Sequence, residues 1–315
     1  VEDPLPEQMR RAAGALLAAL DEPARARAAY RFDDTAARRW LEYRPLPRPG
    51  VCLDDLDRAG RKAAHRLLAT ALSPAAYAQA MAIVALEEVL DRAEGWRRGR
   101  HSGDYWVAVF GDPERDDRWA WRLEGHHLSV SMTVVDDQVS PAPVFFGANP
   151  ATVRHAGRPV SRPLGVEEDL AHALLDAMGP AARSAAIIAD EAPGDIVSAT
   201  RPRVDGPLEP LGVPADRLGP TGRALLDQLV ALYLDRLPPE LAIREAARID
   251  GGSHFAWAGP TRRGQRHYYR VQGDDLLIEY DNTADDGNHV HTVLRRPASD
   301  FGDDVLAAHH REAHR

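Results

Sequence analysis

The spacing of apolar positions along the chain alternates between a helical period and a period of two, and the same succession occurs twice. Over residues 6–45, the stretches PEQMRRAAGALLAALD, PARARAAYRF and DTAARRWLEY predict short amphipathic helices, with Asp34 or Thr35 as a cap. The segment RPLPRPG at 44–50 cannot continue a helix and marks a boundary. Longer helices are expected over 53–72 and 74–94, separated by Ser73-Pro74 in cap-then-proline order. In the second, Ala76, Ala80, Ile83, Leu86 and Leu90 line one apolar face. From Tyr105 the period falls to two. YWVAVFG, RWAWRLEG and HHLSVSMTVV read as strands, and VSPAPVFFG at 139–147 adds a fourth. Helices over 166–178 and 180–190 follow, then the proline-rich TRPRVDGPLEPLG. A helix over 221–236 breaks at Pro238-Pro239 and resumes to Ala247. Four strands, SHFAWAG, RHYYRVQG, LLIEYDNT and HVHTVLRR, precede a final amphipathic helix from Phe301.

Placed over one another without gaps, 106–133 and 254–281 agree at Ala108/Ala256, Gly111/Gly259, Arg118/Arg266, Arg122/Arg270, Gly125/Gly273 and Leu128/Leu276. The preceding segments agree at a slightly different offset, at Gly50/Gly212, Val51/Val213, Leu56/Leu218, Gly60/Gly222 and Arg61/Arg223. These matches predict an α+β fold. Two internally duplicated halves, each helix plus antiparallel meander, would be related by a pseudo-twofold behind an N-terminal helical arm. The expected organisation is a single domain over 1–315: arm 1–47, half A 48–147, helical connection 148–209, half B 210–296 and C-terminal helix 297–315. One face of each meander is apolar. The other carries His127, Ser129, Ser131 and Thr133 in half A and Asp275, Glu279 and Asp281 in half B. Such a face either meets water or lines a cleft between the halves, where small-molecule sites form.

Composition narrows the function. The 315 residues are 44% hydrophobic and 28% charged, an ordinary soluble balance, and the net charge of −9 offers no basic footprint for nucleic acid. Lys62 is the only lysine among the 39 basic side chains, which points to arginine-rich codon usage rather than phosphate recognition. The single cysteine, Cys52, excludes an intrachain disulfide and any cluster built on cysteines. No apolar run reaches the roughly 18 residues of a membrane span. A cytoplasmic location is expected, with export of a longer precursor left open.

The chemistry concentrates at 276–291, LLIEYDNTADDGNHVH, which reads as a hairpin with carboxylates on one arm and histidines on the other. If Thr283 sits opposite His289, then Asp281 falls opposite His291 and Glu279 opposite Val293. A His-x-His pair beside a carboxylate is a ligand set for a divalent transition metal such as zinc, iron or copper. The repeat adds His127 from the other half. The expected ligands are therefore His127, Glu279, His289 and His291. Asp281 is either the carboxylate ligand or the partner orienting His291, and Tyr269 and Arg270 are candidate contacts for a small-molecule substrate. A half-exposed structural histidine pair is the plain alternative. His126, on the apolar parity, reads as a satisfied core histidine. Asn149 in GANP and the acids Asp190 and Glu191 also stand out. The chain lacks G-x-G-x-x-G after a strand, the P-loop, H-E-x-x-H and G-x-S-x-G signatures.

The strings EGHHLS, FFGANP, DEAP, HFAWAG, HYYRVQG and IEYDNT…NHVH together resemble a bacterial family defined by domain of unknown function 3500. The resemblance runs from about Trp40 to His309 and brings no activity with it. The leading expectation is a metal-dependent enzyme, hydrolytic or oxidative, acting in a cleft between the halves. A metal-free ligand-binding or scaffold protein is the main alternative, and a metal-free hydrolase using Asp190 or Glu191 a third.

Overall fold

Residues 3–204, 209–249 and 251–313 are described in the computed structural model; the middle of the proline-rich stretch, 205–208, lies outside them. Helices α1 (Leu5–Ala19) and α2 (Glu22–Ala28) precede a two-residue strand, β1 (Ala29–Tyr30). Helix α3 (Thr35–Arg38) and an irregular stretch lead to β2 (Val51–Cys52). Next come α4 (Arg58–Ala71), α5 (Pro74–Ala93) and the meander β3 (Tyr105–Phe110), β4 (Arg118–Gly125) and β5 (Leu128–Val135), with β6 (Gln138–Ser140) and β7 (Val144–Ala148). A separate hairpin, β8 (Val153–His155) and β9 (Arg158–Ser161), leads to α6 (Gly165–Asp176), α7 (Pro180–Ala186) and β10 (Ile187–Ala189). After β11 (Val213–Pro214) follow α8 (Pro220–Leu234) and α9 (Pro239–Ala247). Strands β12 (His254–Ala258), β13 (Tyr268–Gly273), β14 (Leu276–Ala284) and β15 (His289–Arg295) precede α10 (Asp303–Ala313).

Local chemistry sets these boundaries. Asp57 accepts from the Gly60 amide at 2.8 Å and Ser73 from the Ala76 amide at 3.2 Å, so α4 and α5 both start on side-chain caps, α5 with proline next. Asp34 does the same for α3 through the Ala37 amide. The protein is a mixed α+β fold built on one large, mostly antiparallel sheet. Its order is β1-β3-β4-β5-β7-β15-β14-β13-β12-β10, with β2, β6 and β11 attached to β3, β5 and β12. The pairings of β1 with β3 and of β10 with β12, at the two edges, are parallel. The centre of the sheet is the pairing of β7 with β15, which places His291 beside Gly147.

The two faces of the sheet are covered differently. Apolar residues of β3–β5 and β12–β15, among them Trp119, Trp121, Val130, Ile278 and Tyr280, pack with those of α1, α4, α5, α6, α8 and α9 in the main core. On the opposite face, Leu41, Tyr43, Phe145, Ile196, Val293 and Phe301 form a smaller cluster. Polar side chains of that face are buried: Ser129, Ser131, Thr133, Arg122, Glu279, Asp281 and Arg295 are each 5% exposed or less. The sheet face is therefore neither open to water nor an open cleft. Irregular chain segments lie over it, and several of the polar side chains bond their backbone. Arg122 donates to the Ala37 and Pro49 carbonyls, Arg295 to those of Arg201 and Pro202, and Arg270 to that of Glu209. Coil backbone buried under no ladder of its own needs such partners.

Candidate metal centre

Three histidines meet where the hairpin between β4 and β5 approaches β15. His127 Nε2 lies 2.8 Å from His289 Nε2, and His289 Nε2 lies 3.0 Å from His291 Nε2. His289 and His291 alternate along β15 onto the same face. His127 is not a strand residue as the period of two suggests. It occupies the turn after β4 with φ 62°, a conformation histidine tolerates better than bulky residues. That turn is locked on both sides, because the His127 amide donates to the Tyr43 carbonyl and its carbonyl accepts from the Gly147 amide at 2.7 Å.

The outer nitrogens carry the second half of the design. His291 Nδ1 is 2.7 Å from Asp195 Oδ1, whose other oxygen accepts from the Tyr43 hydroxyl at 2.8 Å. His289 Nδ1 is 3.0 Å from Asp285 Oδ2, and the Asn149 amide donates to the same carboxylate at 3.0 Å. A carboxylate against Nδ1 assigns the proton to that nitrogen and leaves Nε2 as a bare lone pair. Two such lone pairs at 3.0 Å repel unless a cation sits between them. Burial, then the neighbouring histidines, holds the His127 imidazole well below its ordinary pKa. Burial and His291 hold His289 at about 4, so both are neutral donors at neutral pH. Burial alone would push the Asp195 carboxyl up, but hydrogen bonds from His291, Tyr43 and the Ile196 amide outweigh it and hold it low. The trio is therefore a group able to hold a metal ion, with its ligand atoms within 4.8 Å of one another. Zinc–nitrogen bonds of about 2.0–2.1 Å in a tetrahedron need ring nitrogens roughly 3.3 Å apart, a few tenths of an ångström wider than here.

The other expected residues fall differently. Glu279 stands outside the group: its carboxylate accepts from the Val197 amide at 2.6 Å, the Ser198 amide at 3.1 Å and the Tyr268 hydroxyl at 2.8 Å. Asp281 does pair with His291 across β14 and β15, and Glu279 with Val293, but a bulge then places Ala284, not Thr283, opposite His289. One Asp281 oxygen accepts from the Thr283 amide and hydroxyl, while Oδ2 is buried without a partner. Burial raises the Asp281 carboxyl to about 6, against the pull of Thr283. Tyr269 lies on the helix-covered face, fully buried, with its hydroxyl between those of Tyr233 and the Glu167 carbonyl. It has no route to a ligand at the histidines. Arg270 is on the site's face but is engaged with the Glu209 carbonyl beside Glu279.

Asp195, Asp285 and Tyr43 escape a reading by period. Asp195 lies five residues beyond Asp190, in an irregular segment, and Asp285 is in the turn four residues before His289, where only that short spacing hints at a partner. His126 hydrogen-bonds Glu87 and stacks on His127 with ring centroids 3.7 Å apart, a buried histidine with a partner.

The sequence pattern of the family described as "Protein of unknown function (DUF3500)" matches residues 4–303, and the chain belongs to that family. No curated protein and no solved structure matches it.

Proposed function

We propose that this member of the DUF3500 family is a metal-dependent enzyme acting on a small molecule, with His127, His289 and His291 as the metal ligands. The observation that carries the reading is the convergence of three Nε2 atoms, two of them on rings, those of His289 and His291, whose Nδ1 atoms face Asp285 and Asp195. An all-nitrogen set of three imidazoles with a free coordination position suits zinc, which supplies a hydroxide-like nucleophile or polarises a carbonyl near neutral pH. Hydrolysis or hydration is therefore favoured over oxidation by iron, which prefers a carboxylate among its ligands. Asp195 and Asp285 orient the rings and raise their basicity. Asp281, raised to about 6 and carrying an unpartnered oxygen, is suited to take up and release a proton in this pH range. The side chains of His289 and His291 keep 18% and 14% of their surface exposed, which makes their side the approach for substrate.

We further read the chain as one domain made of two duplicated halves about a pseudo-twofold. The strand order from β1 to β7 is matched by that from β10 back to β15. A Cβ on Gly50 would meet the Val107 carbonyl, and one on Gly212 the carbonyl of the equivalent Phe255. Gly111 and Gly259 stand in the same way against the carbonyls of Arg118 and Arg266. In this reading the metal site spans the seam, with His127 from one half and the pair from the other.

Elemental analysis of protein purified without chelator tests the assignment. We expect one equivalent of zinc that is lost in His289→Ala/His291→Ala and that restores hydrolysis of activated esters or phosphoesters to chelated protein. A folded wild-type chain whose three histidines take up none of the first-row divalent ions would refute it.

A further inference from the structure

On the opposite, helix-covered face of the sheet, a second group of side chains is arranged around a point with no protein partner. Glu168 and His172 are four residues apart on α6 and so share one face of that helix. His267 reaches the same place from the residue before β13. Its Nδ1 is 2.9 Å from the Gln265 carbonyl, which assigns the proton to Nδ1 and leaves Nε2 as an acceptor. That Nε2 and His172 Nε2 are both buried without a hydrogen bond, in side chains 0% and 1% exposed. Buried polar atoms are seldom left so, and two aimed at one place ask for a common partner.

The rings cannot turn away to find one elsewhere. His267 stacks on Trp257 with centroids 4.5 Å apart at 3° and on Tyr280 at 5.3 Å and 13°, and its backbone amide donates to Asn282 Oδ1. His172 meets His267 edge-on at 5.0 Å and 65°. The hydroxyl of Tyr280 is a further buried polar atom here without a partner. Glu168 is partly exposed and is positioned by Arg162. One ligand atom from each of Glu168, His172 and His267 falls within 4.8 Å of the others.

We propose that Glu168, His172 and His267 bind a second divalent transition-metal ion, of the zinc or manganese class, that pins α6 to the start of β13. Two imidazoles and one carboxylate form a recognised ligand set for such ions, and the carboxylate offsets part of the charge that burial penalises. The buried setting and the aromatic walls make this a structural site. It is independent of the three-histidine centre, which lies across the sheet.

The test uses the full chain, stripped with chelator, reloaded with zinc alone and freed of excess by gel filtration. Wild type should retain two equivalents. Glu168→Gln and His172→Ala should each retain one, and His289→Ala/His291→Ala should retain the other. Glu168→Gln, at a partly exposed position, decides the matter if His172→Ala does not fold. A single wild-type equivalent that disappears in Glu168→Gln supports this site and removes the three-histidine one. A single equivalent lost only in the His289/His291 variant, or folded Glu168→Gln that binds as much zinc as wild type, overturns it.

Discussion

Asp195 Oδ1 lies 2.7 Å from Nδ1 of His291, a carboxylate from an irregular segment set against a strand histidine 96 positions further along the chain. This contact assigns the His291 tautomer and aims its Nε2 at His289 and His127. Asp195→Asn keeps the size of the side chain but lets the amide present either a donor or an acceptor to the ring. Loss of such a partner costs about 10–100-fold in metal affinity in known metal sites. Competition with a chromophoric chelator should show that drop in zinc affinity with an unchanged circular dichroism spectrum. Equal affinity for the two proteins would remove Asp195 from the design.

His127 allows the ligand and the backbone to be separated. Its φ of 62° is open to glycine without strain, whereas a β-branched residue there pays about 1–2 kcal/mol. His127→Gly is expected to fold with near-native stability and to lose the metal bound by His289 and His291. His127→Val should lose the metal and also unfold at lower urea. If His127→Gly still binds zinc as tightly as wild type, the third ligand is another residue.

The alternation of side chains makes the hairpin of β14 and β15 legible in detail, because one face is buried and a shift of one residue would turn every side chain over. Asp281 opposite His291 and Glu279 opposite Val293 follow from it. What alternation does not carry is the place where it ends. The bulge after Asp281 and the turn at His127 are departures from the period, and both lie at the site. Asp195 is harder still, since its segment has no period. The residues that follow it, Val197, Ser198 and Arg201, are held by contacts to Glu279 and Arg295, and those come from strands distant in sequence. The polar face of the sheet was visible as polar, but its purpose was not: it completes the hydrogen bonding of the coil laid over it.

His65, on α4 and a member of neither proposed metal site, provides a measure of acid sensitivity. Burial, with Lys62 adding to it, holds its imidazole below the usual value, and its Nδ1 sits 3.1 Å from the Tyr77 hydroxyl. The unfolded chain takes up this proton near pH 6.5, before the folded chain does. The contribution of His65 to stability is therefore full above about pH 6.5 and falls as the pH drops towards the folded value. In metal-free protein, His65→Gln should narrow the gap between urea midpoints at pH 7.5 and 5.5. An unchanged gap would mean that His65 titrates alike in both states.

Glu279 separates a ligand from a support. Its carboxylate accepts from the Val197 and Ser198 amides and the Tyr268 hydroxyl, and it is 1% exposed. The segment it grips begins two residues after Asp195, so Glu279 acts on the metal centre through the position of Asp195. Hydrogen bonds to a buried charge are worth about 1.5–3 kcal/mol. Glu279→Gln retains one carbonyl oxygen for the two amides but offers an NH2 group where an acceptor is needed. We expect global stability to fall by roughly 2 kcal/mol in urea unfolding, because a charge-assisted acceptor is replaced by a mismatched neutral one. Metal content at saturating zinc should stay at the wild-type value, with affinity lowered no more than in Asp195→Asn. A Glu279→Gln protein of native stability that holds no metal would reverse the assignment and return Glu279 to the coordination sphere. Retention of the metal in a destabilised protein would show that a carboxylate on the histidines' own hairpin serves the coil, and that the coil in turn supplies the carboxylate that serves the histidines.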